Sequence, residues 1–319
     1  MSLNSVNTNI GAQVALASLN STNTALQASQ KRISTGLRVA DATDDGGAYA
    51  VAQRVRSDVG ALTSVNEQLG NAKGLVGTSL SALGKISDSV NTAKTLLVKI
   101  ADNSIAQDQR DQYVASYKTL LTQVANYVDN STYNGQTLLG KVAGGATAGV
   151  SKSVINSELG STATISAADS SGLANTLATL IGSTFSRSAG GADSFGAIAA
   201  AVPASPGPPP VAAVPGGDQA AASTALTATT GATAFTTALK GVADKLNQTG
   251  ADANLLDATI TFNSAKIDSL NAGLGALIDT DLSKESARLQ ALQIKQQLGT
   301  QALSLANQAP QSLLSLFKG

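Results

Sequence analysis

The chain has 319 residues, and its 21 Lys and Arg balance 21 Asp and Glu, so no net charge attracts nucleic acid or an anionic membrane. It contains no Cys and no His, which excludes disulfides, thiolate or imidazole metal sites, and the commonest nucleophile–base pairs of hydrolases. Because aromatic residues make up only 3% of the chain, the composition favours an architectural protein over an enzyme.

The first predicted element is a helix near the N-terminus, which has no charged residue before Lys31. Apolar and amide residues recur there at alternating three- and four-residue intervals, the spacing of a coiled-coil seam. Ordering this segment alone costs more backbone entropy than its aliphatic side chains return on burial, so we expect it to order only against a partner. The seam consists of Leu16, Leu19, Asn23, Leu26, Gln30, Ile33 and Leu37.

Three stricter seams follow, and these carry ordinary charges between the apolar positions. They predict a conventional helical rod. Asn134-Gly135 is a turn signal between short apolar runs, so we expect a small β-hairpin to cap that rod. The seams are Leu83, Ile86, Val90, Ala93, Leu97 and Ile100; Val114, Tyr117, Leu121, Val124 and Val128; and Ile260, Asn263, Ile267, Leu270, Leu274 and Leu277.

The middle of the chain, residues 141–235, is rich in Ala, Gly, Ser and Thr. Six of the seven prolines lie in residues 203–215, which predicts an extended, solvated loop. We expect short strands and one helix, over Gly172–Ile181, beside it. This central segment is therefore predicted to be an α+β or irregular insertion.

The C-terminal end mirrors the N-terminal end, because no charged residue lies between Gln296 and Phe317. It fits the same heptad frame, and Pro310 is expected to kink the last turns. The nested layout predicts a mainly α fold in which both chain ends build a long antiparallel, coiled-coil rod. The C-terminal seam is Leu282, Leu289, Leu292, Gln296, Gly299, Leu303, Ala306, Leu313 and Phe317.

Several long motifs, in the same order along the chain, resemble bacterial flagellin. The likeness covers about residues 1–140 and 236–319, which is roughly two thirds of the chain. The motifs are KRISTGLRV at 31–39 with Asp44-Asp45, QRVR at 53–56, TYNGQTLL at 132–139, DLSKESARLQ at 281–290 and QALSLANQ at 301–308.

The resemblance implies a structural subunit that polymerises into the flagellar filament, the propeller of bacterial motility. Residues 1–40 with 281–319 would line an inner tube, residues 41–140 with 236–280 would form the surrounding rod, and residues 141–235 would face outward. Residues 1–30 lack the basic segment and compact apolar core of a signal peptide. This fits the family's route, export through the flagellar type III system without a cleaved signal peptide. The predicted location is therefore the extracellular filament.

The implied partners are many copies of the same chain, an export chaperone, and the filament cap and junction proteins, with no nucleic acid, membrane or cofactor. The vertebrate Toll-like receptor is expected to recognise the chain weakly at most, because residues 91–98 lack the Arg–Glu pair of strongly sensed flagellins. Polar contacts between subunits are expected from Arg32, Arg38, Arg54, Arg56, Glu285 and Arg288. Self-assembly is expected to rest on Leu16, Leu19, Leu26, Ile33, Leu37, Leu282, Leu289, Leu292, Leu303, Leu313 and Phe317.

No pattern of catalytic or metal-binding residues stands out. Asp41, Asp44 and Asp45 depart from the spacing of an EF-hand loop, whose twelfth position would be Ala52 rather than Glu. The metalloprotease that some flagellins carry in the centre needs zinc-binding histidines, which are absent here. If the chain is glycosylated, as related flagellins are, we expect O-linked glycans on surface Ser and Thr of residues 141–235.

Two other roles stay open at the level of sequence. A hook–filament junction protein shares the terminal helices but works in few copies and need not polymerise by itself. Alternatively, the central segment adds a surface-adhesion role to a filament subunit, although residues 141–235 contain no Tyr or Trp for stacking on sugars.

Overall fold

Helices make up most of the described chain, in agreement with the predicted mainly α fold. The computed structural model describes residues 9–198, 217–227 and 229–317, without the side chains of 225–234 and 309–317. The chain divides into two compact units, residues 1–60 with 266–319 and residues 61–265. The helices are α1 (Ile10–Thr35), α2 (Gly46–Ala101), α3 (Gln107–Asn130), α4 (Leu173–Thr179), α5 (Gly217–Thr227), α6 (Thr229–Ile278) and α7 (Leu282–Phe317), and the strands are β1 (Lys152–Ile155), β2 (Thr162–Ile165), β3 (Phe185–Arg187) and β4 (Asp193–Phe195).

In the unit of residues 1–60 and 266–319, α1 and α7 form an antiparallel pair. The side chain of Asn9 caps α1 by accepting a hydrogen bond from the Ala12 amide at 3.0 Å. The helix ends at Gly36, which takes the left-handed conformation at φ 72° and donates its N–H to the Arg32 carbonyl. Asp281 caps α7, because its carboxylate accepts from the amides of Ser283 and Lys284.

In the unit of residues 61–265, the predicted seams of α2 and α3 form the centre of the core. Each seam residue from Leu83 to Ile100 is fully buried, as are Tyr117, Leu121, Val124 and Val128. The turn between the two helices is closed by Arg110, only 4% exposed, whose guanidinium donates to the carbonyls of Ile100 and Asp102 at 3.0 and 2.7 Å. A buried cation is compensated there by the negative end of α2.

Helix α6 packs antiparallel to α2 in the same unit. Lys73 forms an ion pair of 2.6 Å with Asp257, and Asn66 donates to Ser264 at 3.4 Å. From the third predicted seam, Asn263 is buried and donates to the Asn156 carbonyl, while Ile260 packs against the core.

The turn predicted at Asn134-Gly135 is present. Both residues have positive φ, at 49° and 73°, and Tyr133 and Gln136 exchange two backbone hydrogen bonds across them. Pairing stops after this one bridge because the next residues do not alternate: Leu138 and Leu139 are both fully buried. The strands of the described chain lie further on, as antiparallel pairs β1–β2 and β3–β4.

The central segment contains the short helix that was expected over 172–181, since α4 buries Ala174, Leu177 and Ala178. Arg187 ends β3 with its guanidinium buried, and it forms ion pairs with Asp193 and, at 2.9 Å, with Asp129 of α3. These hydrogen bonds lower the pKa of Asp193 and raise that of Arg187. Arg187 therefore links β3 to α3, a helix of the core, through an ion pair. The predicted Pro-rich loop, 203–215, lies outside the described residues.

Candidate assembly surface

The seam predicted for the two chain ends is the line along which α1 and α7 meet within one chain. The amide of Gln296 donates to Asn23 Oδ1 at 2.8 Å, and the Asn9 amide donates to the Ala306 carbonyl at 2.8 Å. At Gly299 the helices come so close that an added Cβ would lie 3.2 Å from Leu19 Cδ1. The polar residues of the seam therefore pair with each other and fix its register.

This pairing buries the predicted seam only in part. Leu19, Leu26 and Ile33 of α1 are half-buried, and so are Leu289, Leu292 and Leu303 of α7. Leu37 is half-buried as well, whereas Leu16 and Leu282 are 48% and 50% exposed. The side chains of Leu313 and Phe317 lie outside the described part of the chain.

A second apolar row runs along α7 and faces solvent. Ile294, Leu298 and Leu305 are 58%, 57% and 70% exposed, and Val14 of α1 is 65% exposed. Helix α7 thus has one apolar face against α1 and another that no described residue covers. A two-helix pair cannot bury both, and an exposed apolar row of this length is typical of a protein–protein contact.

The sequence pattern could have revealed this second row, because Ala291, Ile294, Leu298 and Leu305 also follow heptad spacing. One seam already accounts for the leucines at 289, 292 and 303, so the pattern alone does not call for a second row. Beyond Lys295 the described part of α7 carries no charge, so no charged face marks which apolar row is the outer one.

The loop between α1 and α2 is held by charge. Lys31 Nζ lies 2.6 Å from Asp41 Oδ2 and 2.9 Å from Asp44 Oδ2. Hydrogen bonds from this ammonium lower the pKa of both carboxyls, and they raise the pKa of Lys31. Within the described residues no group of acidic side chains is arranged to hold a metal ion.

The same loop is pinned to the break between α6 and α7. The backbone amides of Arg38 and Val39 donate to the Ile278 carbonyl, the Arg38 guanidinium donates to the Leu277 carbonyl, and Thr280 donates to Gly36. Val39 and Ile278 are buried together with Ala52. We call this set of contacts, Gly36–Val39 with Leu277–Thr280, the clamp. Arg38, predicted to contact a neighbouring subunit, therefore forms hydrogen bonds within its own chain.

The other predicted polar contacts fall into two groups. Arg32 and Glu285 face each other within the chain, with Nη1 and Oε1 3.8 Å apart and Glu285 only 6% exposed. Among the described residues, neither Arg32 Nε nor Glu285 Oε1 has a hydrogen-bond partner. Arg54, Arg56 and Arg288 are exposed, and their role between subunits stays a prediction.

Both ends of the chain match models of known protein regions. Residues 6–143 match the bacterial flagellin N-terminal helical region, and residues 232–317 match the C-terminal helical region. The chain belongs to the bacterial flagellin family. As a flagellin it is a structural subunit of the extracellular flagellar filament, a polymer of many copies. Among the described residues, no helix combines the length and the hydropathy that a membrane span requires.

Full-length relatives support the assignment. The chain is 33% identical over 318 residues to flagellin FljK of Caulobacter vibrioides, and the alignment covers all of both chains. It is 33% identical to a flagellin of Brucella melitensis, covering 99% of each chain. Flagellin C of Rhizobium meliloti is 29% identical, over 99% of this chain and 100% of that protein.

Proposed function

We propose that this flagellin polymerises through the outer apolar row of α7, which packs against the terminal helices of neighbouring copies. The observation that carries the proposal is the row itself: Ile294, Leu298 and Leu305 are more than half exposed on a helix that has no charge after Lys295 within the described residues. Burying apolar side chains contributes about 1.5–3 kcal/mol each. Because the row repeats in every copy, its burial supplies a driving force for continuous growth.

The domain assignment follows from this role. Residues 1–40 with 281–319 line the inner tube, residues 41–140 with 236–280 form the rod around it, and residues 141–235 form the outward insertion. The uncharged sequences of both ends support the first assignment, because a packed tube leaves little water to solvate charges. The ordinary charges between the seams of α2, α3 and α6 support the second.

Export by the flagellar type III system, without a cleaved signal peptide, is the route that agrees with this role. An export chaperone, the filament cap and the junction proteins are the further partners. A chain without cysteine cannot be trapped by disulfides on the way out, which suits a substrate that must travel unfolded. The proposed role is purely structural and involves no catalysis.

Seeded polymerisation of the purified protein tests the proposal. Leu298→Asp places a charge in the outer row, and we expect it to abolish filament growth, measured by sedimentation and electron microscopy. Leu159→Asp is the matched control, because Leu159 is 88% exposed in the turn between β1 and β2. We expect this control to polymerise normally.

Two results would contradict the proposal. Normal filaments from Leu298→Asp would show that the row is not an assembly surface. A parent protein that stays monomeric with seeds and high salt would favour the junction role instead.

A further inference from the structure

A cavity opens between α6 and the start of α4, within the unit of residues 61–265. Its volume is about 650 Å³, and most of its surface is apolar. Leu173 of α4 lines it together with Ala238 and Val242 of α6, and a pair of opposite charges, Asp169 and Lys245, borders it. Hydroxyls and glycines complete the described lining: Ser170, Thr176, Thr237, Gly172 and Gly241.

The amine of Lys245 is half-buried beside this cavity. Within the described residues it forms neither an ion pair nor a hydrogen bond, whereas Lys73 of α2 pairs with Asp257 at 2.6 Å. Burial lowers the pKa of Lys245, and the charge of Asp169 offsets this only in part. A larger share of Lys245 than of an exposed lysine is therefore uncharged near neutral pH, and the uncharged amine is the nucleophilic form.

Asp169 does not depend on this amine for its hydrogen bonds. Its Oδ1 accepts from the Ser171 amide at 3.0 Å and from the Ser171 hydroxyl at 2.8 Å. Such bonds favour the ionised carboxylate. Loss of the positive charge at Lys245 therefore leaves Asp169 with partners, and it removes the cost of keeping an ammonium group half-buried.

The hydroxyls of the lining are weaker nucleophiles than this amine. Ser170 donates to the Ala168 carbonyl at 3.1 Å, and Thr176 donates to the Gly172 carbonyl at 3.0 Å. A hydroxyl reacts readily only beside a general base, and the acidic group of the described lining, Asp169, is already hydrogen-bonded to Ser171. Lys245 is therefore the reactive group of the cavity.

We propose that Lys245 is a site of N-acylation by short-chain acyl phosphates, and that the acyl chain lies in the cavity between α4 and α6. The uncharged amine attacks the carbonyl carbon and a C–N bond forms. The C–O bond to phosphate breaks, phosphate leaves with the electron pair, and the nitrogen gives its proton to water. Acylation removes the charge of lysine, whereas methylation keeps it, so the apolar surroundings favour the acylated product. The proposed function makes no use of this amine, so the two proposals stand separately.

Rates of acetylation at single lysines test the assignment. The purified protein is treated briefly with acetyl phosphate, and mass spectrometry of its peptides gives the rate at Lys245 relative to Lys240, which is exposed on the same helix. We expect Lys245 to react roughly threefold faster or more at about pH 7.5, and the ratio to fall by about pH 11, where both amines are largely uncharged. An equal or lower rate at Lys245 at about pH 7.5 would overturn the proposal, and so would a ratio that does not change with pH.

Donors of different length test the cavity separately from the charge. Butyryl phosphate carries two more methylene groups than acetyl phosphate, and the ratio of their rates at one pH cancels the fraction of uncharged amine. We expect this ratio to be roughly threefold higher at Lys245 than at Lys240, because the longer chain contacts the apolar lining. Equal ratios at the two lysines would overturn the position proposed for the acyl chain.

A variant that fills the cavity gives the structural control. Gly241 lines the cavity one helical turn before Lys245, and a Cβ added there would meet nothing within 4 Å, so Gly241→Leu should fold normally. We expect the preference for butyryl phosphate at Lys245 to disappear, while Lys240 reacts as in the parent. Gly273→Leu adds the same side chain at an exposed position of α6 and should keep the preference. A preference that survives Gly241→Leu, with an unchanged circular dichroism spectrum, would overturn the proposal.

Discussion

Lys31 is shared by two carboxylates of the loop between α1 and α2, and this makes it the central residue of that loop. Its ammonium hydrogen-bonds to Asp41 and Asp44, and the second carboxylate oxygen of Asp41 accepts from the Thr43 amide at 2.9 Å. All of these bonds favour the ionised carboxylates. The order of the loop therefore depends on the charge state of three side chains.

The pH dependence of the loop follows from these pKa shifts. The carboxyl pKa values lie below their ordinary 3.8, so their contribution is complete above about pH 5 and is lost as the pH falls through the lowered values. The pKa of Lys31 lies above 10.5, so its contribution is lost only in strong alkali. We expect NMR titration of the Asp41 and Asp44 carboxyls to give values below 3.8.

The Lys31→Met variant removes the cause of both shifts. The two carboxyls should then titrate closer to 3.8, and amide exchange in residues 37–45 should become faster at neutral pH. Titration curves identical to those of the parent would show that the ammonium does not hold the loop.

At the scale of elements, what the sequence predicts depends on where its charges lie. The seams of α2 and α3 could be assigned because residues such as Lys85, Asp88 and Lys118 mark the solvent face. The outer row of α7 could not, because after Lys295 its neighbours are amides and small or apolar residues. The turn at Asn134-Gly135 was predictable from its residue types, whereas β1 and β2 are only four residues each, too short for their alternation to stand out in the sequence.

The amide pair inside the α1–α7 seam offers a test at this scale. Asn23→Leu or Gln296→Leu alone should destabilise the filament by about 1–3 kcal/mol, because each leaves the other, half-buried amide without its partner. The double variant should recover to within about 1 kcal/mol of the parent, since two leucines pack together. The measurement is heat depolymerisation of filaments from all four proteins, and additive losses in the double variant would contradict the pairing.

For the whole molecule, both chain ends are needed to build the proposed assembly surface. Helix α7 supplies the outer row, but it is held in place by α1, some 270 residues away in sequence (Asn23 to Gln296). Either end alone carries too little apolar surface to order itself against the entropy of the chain. We therefore expect the two ends to order together, each against the other.

Removal of residues 301–319 should therefore give a soluble protein that does not polymerise. The deletion takes away Leu303 of the seam and Leu305 of the outer row, while the unit of residues 61–265 keeps its core. Sedimentation with seeds measures the loss, and the helical signal of α2 and α3 provides the control. Filaments of normal length from the truncated chain would contradict the role given to α7.

The clamp has a mechanical consequence. Helix ends fray, and fraying normally spreads along a helix until something stops it. Here α1 and α7 are separated from α2 and α6 by a loop and a helix break that are hydrogen-bonded to each other and share a small buried core. We therefore expect melting of α1 and α7 to stop at Gly36 and Thr280. The ends of an unassembled subunit can then unfold while the rest of the chain stays folded.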